Sequence, residues 1–286
     1  MTDSARIVVG VDGSESSRVA LRWALAEAMV RGSVLEVLHA WHTPLLFVPE
    51  AYSPELVEMG RMDEAALRFV DHELDAVGAD GDCPVVIEKS EAQRFPARAL
   101  VEASARAELV VLGRHGAGGL PHELMTPKVV QVAHHAKCPV AVVPDAWSGD
   151  GHGVVVGVDG SEASERALRW AADEATRRSA ALTVVMAWDL LDQHHADGGN
   201  RFDPNYSADD ARDALDGIVQ RVLGAGGAAD RKVVNDLPAR ALLEAAEHAE
   251  LLVVGARGLG GFSDLLLGSV SHRCLAHASS PTIVVR

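Results

Sequence analysis

Three spaced glycines and a serine near the end of the chain have the types and spacing that suit an anion. Residues 255–271 read GARGLGGFSDLLLGSVS: Gly255 and Gly258 stand three apart, nine residues follow, and Gly268 is joined to Ser269. A bound phosphate needs several backbone N–H groups converging on it without Cβ atoms in the way. Glycine supplies close approach and positive φ, and a helix start supplies unpaired donors and the positive end of its dipole. On this reading Gly255 and Gly258 shape the turn leaving a strand, and Gly268-Ser269 opens the last helix, with Val270 and Ser271 continuing it. Ser269 then serves as N-cap or turns its hydroxyl and amide to a phosphate. Arg257, inside the loop, reaches toward phosphate or points to water. A plainer reading is that the glycines only permit a tight strand–helix connection. Both fit the residues. No lysine follows the second glycine block and no GxGxxG is present, so neither common nucleotide fingerprint applies.

A second segment, GRHGAGGLPHELMTPKV at 113–129, begins the same way with Gly113 and Gly116 around His115, but nine residues on it has Thr126-Pro127. Threonine is a good N-cap and proline a good first helical residue, so the helix start is kept. Proline has no N–H, and losing one hydrogen bond to a charged group costs about 1.5–3 kcal/mol, roughly ten- to a hundred-fold in affinity. One strong anion site, in the second half, and a weak or empty one in the first are therefore expected.

Another loop is also written twice. GVDGSE occurs at 10–15 and at 157–162, an offset of 147, and ALRWA follows both copies. PARAL at 96–100 returns at 238–242, an offset of 142, and Gly113 corresponds to Gly255. The chain is thus two similar domains in tandem, 1–146 and 151–286, joined by the polar stretch PDAWSGDGHG at 144–153. Each copy alternates strand and helix. In the first, RIVVGV is a strand, 15–31 a helix, 34–41 a strand, 54–77 a helix, 84–89 a strand and 97–106 a short helix; ELVVLG and CPVAVV are strands around one more helix. Strands apolar on both faces and separated by helices imply a parallel sheet covered on both sides, an α/β doubly wound fold. Ligands in such sheets sit beyond the carboxyl ends of strands where the order reverses. If strands one and four are neighbours, Gly10-Val11-Asp12-Gly13-Ser14 and the Gly113 loop share one crevice. The Gly157–Ser161 and Gly255 loops share another. Asp12 and Asp159 then contact ligand or merely cap the next helix.

The spaced glycine motif after strand four, with Gly-Val-Asp-x-Ser after strand one, resembles the universal stress protein family over nearly the whole chain. The resemblance implies two tandem flavodoxin-like (HUP-like) five-stranded parallel sheets of strand order 3-2-1-4-5, which puts strands one and four side by side. It also implies binding of ATP, or of AMP or ADP, with the strand-one Asp and the end of strand two on the adenosine and the spaced glycines on ribose and phosphates. In the second copy this assigns Gly157, Val158, Asp159, Ser161, Ala187, Gly255, Gly258, Gly268, Ser269, Val270 and Ser271, to which Arg257 is added as the cation inside the loop. In the first it assigns, more weakly, Gly10, Val11, Asp12, Ser14, Ala40, Gly113 and Gly116. The implied role is a nucleotide-dependent stress-response regulator or sensor, with Mg2+ arriving only through the phosphates. The alternatives are a slow ATPase or nucleotidyl-transferring enzyme, and a partner-binding module with incidental nucleotide.

The rest of the composition narrows the partners. With 286 residues, 48% hydrophobic and 23% charged, the chain reads as globular, and its formal net charge of −15 repels nucleic acid and anionic lipid. The start lacks a signal-peptide pattern, no apolar run is long enough to span a membrane, and Cys83, Cys138 and Cys274 are scattered. A cytoplasmic location is the corresponding expectation. No GxSxG elbow or HExxH helix is present, so no catalytic residue is assigned. His134-His135 and His194-His195 are adjacent pairs that diverge on any element, so no metal site is assigned. Trp23 and Trp170 read as core anchors, and Trp41 and Trp188 as packing at the end of strand two. The apolar fifth strands VAVV and TIVV are expected to pair the two halves, and two chains to form a homodimer through sheet edges.

Overall fold

In the computed structural model the described residues are 5–41, 55–79, 83–116, 125–188, 207–224, 226–259 and 267–286. By their contacts they form two units, Met1–Cys138 and Pro139–Arg286. The first unit contains β1 (Arg6–Val11), α1 (Glu15–Arg31), β2 (Val34–Trp41), α2 (Glu55–Ala76), β3 (Ile87–Gln93), α3 (Pro96–Ala103), β4 (Leu109–Gly113) and α4 (Pro127–His135). The second contains β5 (Val140–Val143), β6 (Val154–Gly157), α5 (Glu162–Arg178), β7 (Leu182–Trp188), α6 (Ala208–Leu223), β8 (Asp230–Asn235), α7 (Pro238–Ala245), β9 (Leu251–Gly255), α8 (Ser269–His277) and β10 (Thr282–Val285).

Local sequence explains the elements well. α1 starts at Ser14, whose side chain accepts from the Ser17 N–H, and ends with Arg31 before Gly32 at φ 65°. α5 repeats the pattern from Ser161, with Glu162 and Glu165 in its first turn and Arg177 and Arg178 in its last. The central strands are buried on both faces; Ile7, Val8, Val9, Leu109, Val110 and Val111 have no exposed surface. That burial, about 25 cal/mol per Å² of apolar area, is what holds strand runs of valine and leucine inside the sheet.

The first unit orders its strands β3-β2-β1-β4, and the second runs β8-β7-β6-β9-β10 before β5. β1 is parallel to both β2 and β4, and β6 to both β7 and β9, so strands one and four are neighbours in each repeat. Among the described pairings, β5 departs from parallel, running antiparallel to β10 with Ala141 opposite Ile283. The fifth strand of the first repeat thus lies in the second unit, covering the apolar edge of β10 as the edge-strand argument expects.

Two boundaries differ from the sequence reading. The third strand, expected at 84–89, is Ile87–Gln93. Its ladder with β2 runs from Leu35↔Ile87 to Trp41↔Gln93, and the polar end of β3 is tolerated because an edge strand can present charge to water. The short helix expected at 97–106 ends at Ala103, because Ala105 and Arg106 turn to bond the carbonyls of Glu102 and Ala103, three residues back.

Candidate functional site

In the second repeat, Val156 of β6 pairs with Val253 of β9, so the loops leaving those two strands open side by side. Gly160, at φ 85°, turns the first loop into α5. Asp159 ties the loops together: Oδ1 accepts from the Ser161 N–H at 3.0 Å, and Oδ2 accepts from the Leu259 N–H at 3.0 Å across 100 residues. Ser161 Oγ accepts from the Ser164 N–H at 3.2 Å and reaches the Arg257 carbonyl at 3.4 Å. Asp159 is therefore not the helix cap; Ser161 is, and the carboxylate lies exposed at the mouth of the crevice. Val158 is buried and donates its N–H to the Val185 carbonyl at 3.0 Å, while Ala187 stands one residue from the end of β7.

The glycines divide by what the fold demands of them. A Cβ on Gly255 would stand 2.8 Å from the Ala163 carbonyl carbon and 2.9 Å from the Ser164 nitrogen, inside the first turn of α5. On Gly258 it would strike the Asp159 carboxylate, and on Gly157 it would press on the Leu242 side chain at 2.7 Å. Backbone φ is positive at Gly160 and, in the first repeat, at Gly13, but not at the spaced glycines. Close packing against the first turn of α5 alone accounts for the bareness of Gly255, whereas Gly258 faces a side-chain carboxylate in the neighbouring loop. Gly268 is different. Its φ is −66°, and among the described residues the nearest atoms to a Cβ there would be the Ala256 oxygen at 3.4 Å, Arg257 Cα at 3.5 Å and Ser271 Oγ at 3.6 Å, which are ordinary contacts.

Gly268, not Ser269, is the N-cap of α8; its N–H goes to the Ala256 carbonyl at 2.9 Å, and its carbonyl takes the first ladder bond from the His272 N–H at 2.9 Å. The amides of Ser269, Val270 and Ser271 precede that bond and have no carbonyl one turn back in the helix. Ser269 is exposed, whereas Ser271 is 3% exposed and turned inward, its Oγ donating to the Gly255 carbonyl at 2.6 Å. Ser271 braces the loop against the helix. Arg257 is exposed beside the cleft; burial first, then the charge of Arg257, pulls the Arg286 guanidinium below its ordinary pKa. Two cations therefore stand close enough to repel at this end of the sheet.

The first repeat builds the same frame and finishes it differently. Ser14 Oγ accepts from the Ser17 N–H at 3.1 Å and donates to Asp12 Oδ1 at 2.6 Å. A Cβ on Gly113 would meet the Ser16 carbonyl oxygen at 2.5 Å, and the His115 N–H donates to Ser16 Oγ at 3.0 Å. Gly10 faces Leu100, Val11 is buried, and Ala40 lies one residue from the end of β2, where His39 reaches the Val11 carbonyl and stacks on Phe69 at 4.3 Å. Thr126 is the N-cap of α4 and Pro127 its first residue, but the threonine hydroxyl makes no capping bond and, among the described residues, its Oγ1 is buried without a partner. The Val129 N–H is used by the Thr126 carbonyl at 3.0 Å. With Pro127 lacking an N–H, one first-turn amide is left where α8 offers three.

Lys128 is the residue that sequence reading missed. Its Nζ donates to Asp12 Oδ2 at 2.8 Å, with both side chains 24% exposed. Burial raises the Asp12 pKa, yet the Lys128 ammonium and the two Ser14 donors outweigh it and hold the carboxyl at about 2. The available signal was alignment at the offset of 142, which sets Lys128 against Val270. Ser16 and Ser164 were also missed; nothing in their spacing separates them from ordinary helix serines.

Other candidates fall away from the clefts. Trp23 is buried in the core, and Trp41 donates to Glu91 at 2.7 Å at the end of β2. Burial pushes the Cys138 and Cys274 thiols up to about 12, which keeps them out of thiolate chemistry. Among the described residues, no three His, Cys, Asp or Glu side chains are grouped to hold a metal ion, and no helix is long and apolar enough to cross a membrane. His194, His195 and the excursions between the spaced glycines, 117–124 and 260–266, lie outside the described residues, as does 189–206.

Comparison with known proteins agrees with this duplicated frame. The universal stress protein family matches residues 4–144 and again 152–286. One universal stress protein of Mycobacterium tuberculosis is 36% identical over 296 residues, covering 98% of this chain and 96% of that protein. Another, from Mycolicibacterium smegmatis, is 33% identical, covering 98% of this chain and 96% of that one. Among solved structures, a universal stress protein from Archaeoglobus fulgidus superposes with a TM-score of 0.67 at 20% identity, covering 99% of this chain and 98% of its own.

Proposed function

Because the chain belongs to the universal stress protein family, through both repeats and along nearly its whole length, we propose that it binds an adenine nucleotide in the cleft of the second repeat and acts as a nucleotide-dependent regulator. The observation that carries the reading is Gly268. Among the described residues the fold can accommodate a side chain there, with φ at −66° and no contact under 3.4 Å, so the missing Cβ is best explained by a ligand approaching the mouth of α8.

In this assignment the amides of Ser269 and Val270, with the positive end of α8, receive the phosphates, and Arg257 adds a cation at the rim. Asp159, Val158 and Ala187 line the side where the adenosine lies. Magnesium accompanies the phosphates and is held chiefly by them. Among the described residues the Asp159 carboxylate at the cleft mouth is engaged by the Ser161 and Leu259 N–H groups rather than poised as a base, so binding rather than turnover is the proposed activity, with the bound state read by another protein. A homodimer belongs to the same reading. With the apolar edge of β10 already paired to β5, a contact between chains would use a polar edge such as β3 or β8.

The test is a calorimetric titration of the purified protein with ATP and magnesium, alongside mass analysis of nucleotide released on denaturation. One adenine nucleotide per chain, lost or at least tenfold weaker in Gly268→Ala, supports the reading. No binding, or binding untouched by Gly268→Ala, overturns it.

A further inference from the structure

We propose that Lys128 is a specificity-determining residue whose ammonium, seated between Asp12 and Gly116, occupies the first cleft and keeps adenine nucleotide out of it. The inference rests on the nucleotide assignment for the second cleft and explains why two copies of one frame would differ.

The geometry is local to the first unit. Lys128 is the second residue of α4, and its Nζ lies 2.8 Å from Asp12 Oδ2 and 3.2 Å from where a Cβ on Gly116 would stand. The ammonium therefore covers the bare backbone of the glycine that begins the excursion. In the second repeat the corresponding helical residue is Val270, which has no charge, and Asp159 Oδ2 accepts from the backbone N–H of Leu259 instead. Asp12 Oδ2 accepts from a side chain at the helix mouth, whereas Asp159 Oδ2 accepts from the backbone of the neighbouring loop.

A lysine at a helix start would ordinarily be read as a phosphate ligand, so the two roles must be weighed. Drawing Lys128 to a phosphate breaks its bond to Asp12 Oδ2 and leaves that part-buried carboxylate, still held at Oδ1 by Ser14, without its cation and facing an anion. The ammonium gains one ion pair only by giving up another, and the new arrangement holds two negative groups near one positive one. The helix cannot compensate, since Pro127 has removed one donor and the Thr126 carbonyl has taken the Val129 N–H. Exclusion is the cheaper arrangement. A lysine at this position also opposes the positive end of α4, a placement that its bond to Asp12 offsets.

The experiment counts nucleotides. ATP with magnesium is titrated by calorimetry into the wild-type chain, Lys128→Val, Lys128→Gln and the triple variant Thr126→Gly/Pro127→Ser/Lys128→Val, which copies the second repeat. The expected result is one nucleotide per wild-type chain, a second and weaker site in Lys128→Val, and two sites within about tenfold of each other in the triple variant. Lys128→Gln keeps a donor for Asp12, so it remains usable if the valine variant does not fold. It is expected to open the first site less than valine does. Undisturbed binding at the second cleft reports that each variant is folded. A wild-type chain that binds two nucleotides, one of which Lys128→Val removes, would show that the lysine is a ligand and overturn the inference. A triple variant that still binds one also overturns it while leaving the second-site assignment standing. A wild-type chain that binds none overturns both.

Discussion

Replacing Gly255 with alanine adds one methyl group where β9 meets the first turn of α5. The new Cβ would lie 2.8 Å from the Ala163 carbonyl carbon, 2.9 Å from its oxygen and 2.9 Å from the Ser164 nitrogen. All three are backbone atoms, so no side-chain rotation relieves the overlap. Bringing them to ordinary contact moves the helix start by about 0.5 Å, and overpacking of this kind costs ~1–3 kcal/mol. Because φ at Gly255 is not positive, the substitution also removes disorder from the unfolded chain, which returns ~0.5 kcal/mol. The net expectation is a loss of about 1–2 kcal/mol, or a fall of roughly 0.5–1 M in the urea midpoint at a slope near ~2 kcal/mol per molar. Gly268→Ala is the matched control: its nearest contact among the described residues is 3.4 Å, so its cost should stay within about 1 kcal/mol, the size of a weakened N-cap. Urea unfolding of both variants by circular dichroism, with ATP titration of each, separates packing from ligand approach. Gly255→Ala should lose stability first and binding as a consequence; Gly268→Ala should lose binding with stability nearly intact. If Gly255→Ala unfolds at the wild-type midpoint, or Gly268→Ala falls as far as Gly255→Ala, the division of the glycines by role is wrong.

Three further outcomes follow from the same geometry. The Asp12 carboxyl, at about 2 when folded against 3.8 unperturbed, binds its proton less readily in the native state. Its contribution, about 2 kcal/mol, is therefore complete above pH ~4 and disappears as pH falls toward ~2. Lys128→Gln should move the Asp12 titration upward in a carbon-detected NMR experiment; an unmoved titration would rule out the ion pair as its cause. Ser271→Ala removes the Oγ donor to the Gly255 carbonyl at 2.6 Å and should cost ~1–2 kcal/mol with several-fold weaker nucleotide binding, whereas unchanged thermal unfolding would deny the hydroxyl its bracing role. Glu174 has no exposed surface and holds Arg177 at 2.6 Å and Arg178 at 2.8 Å at the end of α5 remote from the cleft. Glu174→Gln should cost about 3 kcal/mol in urea unfolding and leave ATP affinity where it was; a shift in affinity would mean the network reaches the site.

What the chain shows without coordinates is whatever is encoded locally and then written twice. The repeated GVDGSE and PARAL segments disclosed the duplication, valine-rich runs between amphipathic stretches disclosed a parallel sheet, and Ser14 and Ser161 announced where α1 and α5 begin. Period and capping are short-range properties, so they survive in one dimension. The spaced glycines were legible as a motif but not as individuals. Whether a missing Cβ serves packing or a ligand depends on which atoms stand opposite, and Ala163 is 92 residues from Gly255 while Asp159 is 99 from Gly258. The pairing of β5 with β10 was foreseen from apolar edges, but its antiparallel direction, and the transfer of β5 to the second unit, belong to the tertiary structure. Lys128 shows the same limit most clearly. Beside Pro127 it reads as one more polar residue of a helix start, and only folding carries its ammonium across 116 residues to Asp12. Hydrogen bonds and ion pairs act over ~3 Å of space irrespective of separation along the chain, so the sequence supplies the groups and the fold decides which of them meet.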